Sequence, residues 1–123
     1  MIFIYQILNA ILCIWMAHRD EKIIADQKSP NHFLNGTIHI AVSLLALYLY
    51  DYKIAIAVLL ECRIVFDMAL NLYRKFNPFR VSPKPVSKID RFEKWVFGND
   101  GLTPKVIYLA ACVALNVYYI INL

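Results

Sequence analysis

Residues 61–75 read ECRIVFDMALNLYRK and place four charged or amide side chains inside an otherwise apolar segment. Those side chains are Glu61, Arg63, Asp67 and Asn71. A charge at the centre of a membrane-spanning helix opposes insertion by about 2.5–3.5 kcal/mol. Such residues are therefore expected to pair with one another or to serve a function.

The composition around this stretch is that of a membrane protein. Of the 123 residues, 60% are hydrophobic, whereas soluble domains contain roughly 45–50%. The mean hydropathy is +0.52. A soluble chain of this length encloses too small an interior to bury so much apolar surface. The sequence therefore predicts one integral membrane domain covering residues 1–123.

Four apolar segments predict an all-α bundle of four transmembrane helices. A helix that crosses a hydrocarbon core of about 30 Å needs roughly 17–25 residues. The predicted spans are residues 2–17, 33–50, 54–73 and 106–123. Because only residues 51–53 separate the second span from the third, these two spans should form an antiparallel hairpin.

The basic residues of the loops predict the orientation. Residues 18–32 and 74–105 hold eleven of the thirteen Lys and Arg residues, whereas the opposite loop holds Lys53 alone. An excess of positive charge marks the cytoplasmic side, so both termini are expected outside a bacterial inner (plasma) membrane. The basic loops should contact anionic lipid headgroups. A nucleic-acid partner is not expected, because the basic residues flank spans rather than cover a soluble face.

The cytoplasmic loop 74–105 contains an amphipathic segment, SKIDRFEKWVFG, at residues 87–98. Its apolar residues fall on one face of a predicted helix, with the basic residues directed away from it. That face consists of Ile89, Phe92, Trp95 and Val96. A short basic amphipathic helix of this kind lies in the headgroup plane. The alternative is a docking helix for a partner protein.

Polar stripes on the second and third spans are expected to face each other across the hairpin. Polar residues recur every three or four positions in both spans, which places them on one side of each helix. The predicted functional network consists of His32, Asn35, His39, Arg63, Asp67 and Asn71. Arg63 and Asp67 are four residues apart and can form an ion pair, to which His39 can add a hydrogen bond.

Glu61 points away from this network, because it lies almost opposite Arg63 around the third helix. It is expected in a second environment, formed by another helix of the chain or by a neighbouring subunit, or as the neutral acid. Asn9 and Asn116 provide hydrogen-bonding groups about midway along the first and last spans. A small interior and the position of Glu61 together predict a homo-oligomer or a membrane-protein partner.

The sequence predicts no catalytic residue, no metal site and no cofactor. Cys13, Cys62 and Cys112 all lie within predicted spans and form no CxxC pair, so they are expected to be free thiols that pack as small apolar groups. There is no phosphate-binding glycine loop, no serine nucleophile motif and no metal-cluster spacing in the sequence.

Three functions are consistent with the polar network. Ion or proton conduction is the most concrete prediction, since His39, Asp67 and Glu61 suit proton transfer. The first alternative is a non-catalytic structural or accessory subunit of a larger membrane complex. The second is a metal-dependent enzyme acting on lipid, with His32, His39 and Asp67 as ligands. Ligands seven residues apart on one helix are about 10 Å apart along its axis, which disfavours a shared metal ion.

Overall fold

The computed structural model describes residues 1–28, 31–83, 85 and 88–123, except for the side chain of His32. These ranges contain five α-helices and no β-strand. In chain order the helices are α1 (Ile2–Ala25), α2 (His32–Leu49), α3 (Tyr52–Tyr73), α4 (Lys88–Phe97) and α5 (Leu102–Ile121). The predicted all-α class and helical bundle are confirmed.

The central helix of the bundle is α3, which packs against α1, α2 and α5. Contacts run from Asn9 with Glu61 to His18 with Tyr73, so α1 lies parallel to α3. The contacts of α2 and α5 run in the opposite order, and both helices lie antiparallel to α3. The polar residues of α3 are therefore surrounded by helices on several sides.

The hairpin between α2 and α3 depends on Asp51. Its carboxylate accepts hydrogen bonds from the backbone N–H groups of Lys53, at 2.9 Å, and Ile54, at 3.3 Å. These bonds satisfy donors that the first turn of a helix leaves unpaired. The Lys53 ammonium adds an ion pair with Asp51 at 2.8 Å. The tight hairpin predicted from residues 51–53 is therefore present, with α3 beginning at Tyr52.

Both chain termini lie at the hairpin end of the bundle. A buried apolar cluster joins the helices there, formed by Ile2, Ala46, Ile54, Ala55 and Val58. The ring of Tyr50 contacts the rings of Tyr5 and Tyr119 edge-on, which brings the beginning of α1 and the end of α5 together. The predicted placement of this end outside the cell stays a prediction.

Two helices of the described chain are long and apolar enough to cross a membrane, namely Ile2–Ala25 and Leu102–Ile121. The apolar part of α2, Phe33–Leu49, is shorter. The remaining long helix, α3, contains Glu61, Arg63 and Asp67 in its interior. A membrane location thus has support from two helices, and the predicted four-span arrangement is not confirmed.

Two helices extend beyond the spans that hydropathy predicts. The predicted first span ends at residue 17, whereas α1 continues to Ala25. The predicted last span begins at residue 106, whereas α5 begins at Leu102. Backbone hydrogen bonding does not stop where an apolar run stops, so these extensions carry polar residues into the bundle.

The bundle exposes many large apolar side chains and buries several polar ones. The buried polar residues lie alongside a mostly small apolar core and are Asn9, Asp20, Asn35, Ser43, Asn71 and Lys105. Large apolar side chains are exposed on the outer faces of the long helices, among them Phe3, Ile7, Ile11, Leu44, Leu109 and Val113. A soluble protein normally buries its large apolar residues. So many exposed apolar side chains on the long helices are typical of a surface that contacts lipid.

Candidate functional site: a charged cavity at the loop end of the bundle

A cavity of about 650 Å³ lies at the end of the bundle opposite the hairpin. It is formed by the end of α1, by α2, α3 and α4, by the beginning of α5 and by the segment that follows α3. Small-molecule sites commonly occupy about 300–1,000 Å³. The charged residues that line the cavity are Asp20, Asp67, Asp90, Glu93, Asp100, Arg63, Arg74, Arg80, Lys94 and Lys105. The predicted residues Asn35, His39, Arg63, Asp67 and Asn71 line it as well.

Arg63 is held by two carboxylates of α4. Its Nε donates to Glu93 Oε1 at 3.1 Å, and its Nη2 donates to Asp90 Oδ1 and to the second oxygen of Glu93. The Tyr108 hydroxyl also donates to Glu93 Oε1, at 2.8 Å. Bidentate, charge-assisted bonds of this kind are stronger than neutral hydrogen bonds. They fix the orientation of the guanidinium group and hold α4 against α3.

Asp67 pairs with Lys105 of α5, whose Nζ lies 2.6 Å from Asp67 Oδ2. The predicted ion pair between Arg63 and Asp67 is therefore wrong. The reason is that α4 and α5 bring further charges to the same depth of the bundle, so Arg63 and Asp67 each bind an opposite charge from another helix. Lys105 also donates to the Gly101 carbonyl oxygen at 3.4 Å, which ties it to the first turn of α5.

Asn35 connects α2 to α1 rather than to α3. Its Nδ2 donates to Asp20 Oδ2 at 2.7 Å, and its Oδ1 accepts a hydrogen bond from Arg19. Asn35 and Asp67 both line the cavity, as two facing polar stripes predict. No hydrogen bond joins them within the described residues. His32 is the first residue of α2, and its predicted role falls on a side chain outside the described part of the structure.

Asn71 positions the segment that follows α3. Its Nδ2 donates to the carbonyl oxygens of Pro78, at 3.1 Å, and Arg80, at 3.2 Å. The same segment passes so close to Gly101 that a side chain there would collide with the Phe79 carbonyl. Asn71 and Gly101 together hold this segment against the mouth of the cavity.

Three cations at the cavity form no ion pair within the described ranges. The guanidinium groups of Arg80 and Arg74 lie 4.0 Å and 5.0 Å from the ring centre of Phe76. Lys94 Nζ donates to the backbone oxygens of Ser82, at 3.1 Å, and Pro83, at 2.9 Å. We refer to Arg74, Arg80 and Lys94 as the cationic rim. Its charge is not cancelled, in contrast to that of Arg63 and Lys105.

Glu61 lies in a separate environment deeper in the bundle, as its helical position predicted. Asn9 of α1 donates from Nδ2 to Glu61 Oε1 at 2.9 Å. The other amide atom, Asn9 Oδ1, accepts a hydrogen bond from Cys62 Sγ at 3.2 Å. Cys13 Sγ lies 3.1 Å from Cys62 Sγ. The three cysteines are free and buried, which confirms that prediction.

His39 lies between this deeper cluster and the cavity. Its ring meets Phe66 edge-on, with 6.0 Å between ring centres. Its Nδ1 is buried and has no hydrogen-bond partner in the described structure. The predicted hydrogen bond from His39 to Arg63 or Asp67 is absent from the described structure. Arg63 binds the acids of α4 instead, and Asp67 binds Lys105.

The predicted amphipathic helix exists as α4, but it has two roles. Its apolar residues Ile89, Phe92, Trp95 and Val96 are all exposed, and Trp95 is 82% exposed. The neighbouring side of α4 presents Asp90 and Glu93 to Arg63. The sequence also predicts that the Ser87 hydroxyl caps this helix, and Ser87 lies outside the described residues. An exposed apolar face is what a helix in the headgroup plane requires.

The sequence analysis missed several residues of the site, namely Asp20, Asp90, Glu93, Lys105 and Tyr108. A signal for two of them was present, because Asp90 and Glu93 are three residues apart and share a helical face beside the apolar one. An arginine in an apolar helix requires carboxylates, and these acids on a neighbouring amphipathic helix could have been proposed as its partners.

No protein-family model matches the chain, and no curated protein or solved structure matches it either. The chemistry of the cavity is therefore the basis for any functional conclusion. Its inner cations Arg63 and Lys105 are neutralised by carboxylates, whereas the cationic rim can attract an anion.

Proposed function

We propose that this protein is a four-span membrane protein that binds an anionic phospholipid headgroup in the cavity at its cytoplasmic end. The observation that carries the proposal is the cationic rim. Its three charges have no carboxylate partner in the described ranges, and they border a cavity of about 650 Å³. Guanidinium groups bind phosphate through two parallel, charge-assisted hydrogen bonds.

The exposed apolar faces and the lengths of the helices support the membrane part of the proposal. A helix rises about 1.5 Å per residue, so the 18 residues of α2 reach about 27 Å and the 22 residues of α3 about 33 Å. Both lengths suit a hydrocarbon core of about 30 Å. The charges of α3 face the cavity and other helices, which is where a membrane protein tolerates them.

The position of the basic residues supports the cytoplasmic leaflet as the source of the ligand. The loops at the cavity end contain eleven of the thirteen Lys and Arg residues. Positive loops remain in the cytoplasm, and there they meet anionic lipids. The exposed apolar face of α4 lies at the same end and would rest among the lipid tails. A lipid beside α4 would bring its phosphate to the rim.

Four of the five acids that line the cavity already bind a cation. Asp67 pairs with Lys105, Asp90 and Glu93 share Arg63, and Asp20 pairs with Arg19. The fifth, Asp100, accepts hydrogen bonds from Thr103 and the Leu102 backbone. The rim cations form no ion pair with any of these acids within the described residues, and they are therefore the groups to which an anion would bind. Arg74 and Arg80 lie on the segment that follows α3, and Lys94 lies on α4, so that one phosphate could draw this segment and α4 together.

A binding assay with soluble short-chain lipids tests this proposal. The purified chain in non-ionic detergent is titrated with short-chain phosphatidylglycerol, with glycerol phosphate and with phosphatidylcholine. Arg74→Gln with Arg80→Gln should weaken phosphatidylglycerol binding at least about tenfold, since one bond to a charged group is worth about 1.5–3 kcal/mol. The matched control removes two exposed cations away from the cavity, Lys22 and Lys28, by the same substitution.

Equal losses in both double variants would contradict a site at the rim and would indicate a diffuse charge effect. Tight binding of glycerol phosphate would assign the site to a free phosphate compound. Preference for phosphatidylcholine would contradict the role of the cationic rim. The proposal requires selective loss in the variants of Arg74 and Arg80 only.

Proton conduction is a second candidate, favoured by polar pairs that continue from the cavity towards the hairpin. Asn9 bonds Glu61, and Gln6 bonds Asn116 further along. The cavity explains a binding site better, because the apolar cluster with Ile54 closes the hairpin end. Proton flux in proteoliposomes, compared with Asp67→Asn, tests conduction. A homo-oligomer, an accessory role in a larger complex and a bacterial inner-membrane location also stay predictions.

A further inference from the structure

We propose that Cys13, Cys62 and His39 form a binding site for Zn²⁺ in the interior of the bundle. The three residues come from α1, α3 and α2, and one potential ligand atom of each lies within 4.8 Å of the other two. The two sulfur atoms are 3.1 Å apart. The binding of a headgroup at the cationic rim does not require this cluster.

The buried nitrogen of His39 provides a second observation. His39 Nδ1 is enclosed by protein, yet no hydrogen-bond donor or acceptor in the described ranges reaches it. Buried polar atoms in folded proteins are nearly always paired, and an exception calls for an explanation. One imidazole nitrogen of His39 lies within 4.8 Å of both sulfur atoms, and imidazole nitrogen and thiolate sulfur are typical zinc ligands.

The ligand set selects the kind of metal ion. Two cysteines and one histidine are typical zinc ligands, and three protein ligands leave a fourth position. On binding, each thiol releases one proton and the metal keeps its oxidation state. Two thiolates and Zn²⁺ then carry no net charge, whereas Cu⁺ with the same ligands would leave one negative charge in a buried place. Uncompensated buried charge is costly, so the interior favours a divalent ion.

The geometry requires a small adjustment. Zinc–sulfur bonds of about 2.3 Å at a tetrahedral angle place the two sulfurs about 3.8 Å apart. The present sulfur separation of 3.1 Å would widen by a rotation of the two side chains. Cys13 and Cys62 are 0% and 2% exposed, so that water is excluded from this position.

Asn9 and Glu61 lie next to the proposed ligands and are joined to Cys62 through the hydrogen bonds of Asn9. Asn9 donates from Nδ2 to Glu61 Oε1, at 2.9 Å, and to the Val58 carbonyl, at 3.4 Å. These bonds turn Asn9 Oδ1 towards Cys62, whose thiol donates to it at 3.2 Å. That hydrogen bond would be lost when the thiol releases its proton to bind zinc. Hydrogen bonds around the ligands commonly orient a metal site. His39 and Cys62 also line the cavity, which provides a route for the ion from the cytoplasmic end.

Metal analysis of the tag-free chain tests the proposal. The protein is isolated in detergent with a reductant and without chelator, and its zinc content is measured. Cobalt is then added to the metal-free chain. We expect about one zinc ion per chain, and for cobalt the thiolate charge-transfer absorption and visible bands of a tetrahedral site.

Variants locate the site. Cys62→Ser and His39→Gln should each weaken zinc binding by more than about 100-fold, because the loss of even an outer partner costs about 10–100-fold. The matched control is Cys112→Ser, since Cys112 is a buried cysteine that bonds the Ala57 carbonyl outside the cluster. Its zinc content should equal that of the native chain. Helical circular dichroism and elution as a single species show that each variant is folded.

Three results would overturn the proposal. They are a native chain without zinc that gives no cobalt spectrum, an equal loss in Cys112→Ser, and isolation of Cys13 and Cys62 as a disulfide under reducing conditions. The spectra of the native chain decide the matter even where a variant fails to fold. The Arg74→Gln, Arg80→Gln variant should keep its zinc, so failure of the lipid proposal and failure of the metal proposal can be told apart.

Discussion

Replacement of Arg63 by methionine should detach α4 and lower the free energy of unfolding by roughly 2–3 kcal/mol. The side chains of Arg63, Glu93 and Asp90 are 21%, 14% and 36% exposed. Removal of one partner from a fully buried pair costs about 3–5 kcal/mol. An exposed pair contributes only about 0.2–1 kcal/mol. The partial burial of the Arg63 cluster places the expected loss between these limits.

A double-mutant cycle isolates this interaction. The free energy of unfolding is measured in mixed micelles for the native chain, Arg63→Met, Glu93→Gln and the double variant. The loss of unfolding free energy in the double variant should be smaller than the sum of the two single losses by at least about 1 kcal/mol. The reason is that Glu93→Gln removes the carboxylate that Arg63→Met leaves without a cation. The matched control is Lys88→Met, which removes an exposed charge from α4.

The same cycle with Asp67→Asn provides the refutation. Suppose that Asp67→Asn, but not Glu93→Gln, restored the stability lost in Arg63→Met. The ion pair of Arg63 with Asp67 within α3 would then be the correct one. The docking of α4 by its acids would then be wrong. An unchanged stability of Arg63→Met would likewise refute the reasoning.

Three further predictions concern other parts of the chain. Lys105→Met should lower the free energy of unfolding by about 1–3 kcal/mol, since it leaves Asp67 without its partner. Combining Lys105→Met with Asp67→Asn should restore much of this free energy in the same unfolding assay. Hydrogen bonds from the Thr103 side chain and backbone and from the Leu102 backbone hold the pKa of Asp100 below its ordinary value of 3.8. The stability that the Asp100 carboxylate contributes is therefore present above that value and lost as the pH falls through the lower folded pKa, and unfolding curves of Asp100→Asn should lack this acid-dependent part. Trp95→Glu should withdraw α4 from the lipid and so increase protease cleavage in the segment before α4. The control is Lys88→Glu, which introduces the same acidic side chain at another exposed position of α4.

The sequence predicted those features that depend on neighbouring residues. The hairpin followed from the three residues between two apolar runs, and α4 followed from its apolar spacing. The common location of Asn35, His39 and Asp67 followed from helical periodicity together with the hairpin. Each of these steps uses short-range geometry, and the cavity contains all three residues.

The pairing of charges could not be predicted in the same way. Arg63 and Glu93 are thirty positions apart, and Asp67 and Lys105 are thirty-eight apart, so their contacts depend on how α4 and α5 return to the bundle. The approach of Cys13 to Cys62 depends on α1 lying parallel to α3. Hydropathy predicts which segments form membrane helices, but it does not predict which of these helices pack against each other.

The order in which the chain is synthesised gives the ion pairs of α3 a further consequence. The partners of Arg63 and Asp67 all lie towards the C-terminus, on α4 and α5. In a bilayer, α3 would therefore leave the ribosome before any of its counter-charges exist. An unpaired arginine and aspartate oppose release into lipid. The hairpin of α2 and α3 would have to remain in the protected environment of the insertion machinery until Lys105 arrives, so that assembly of this bundle is completed by its last helix.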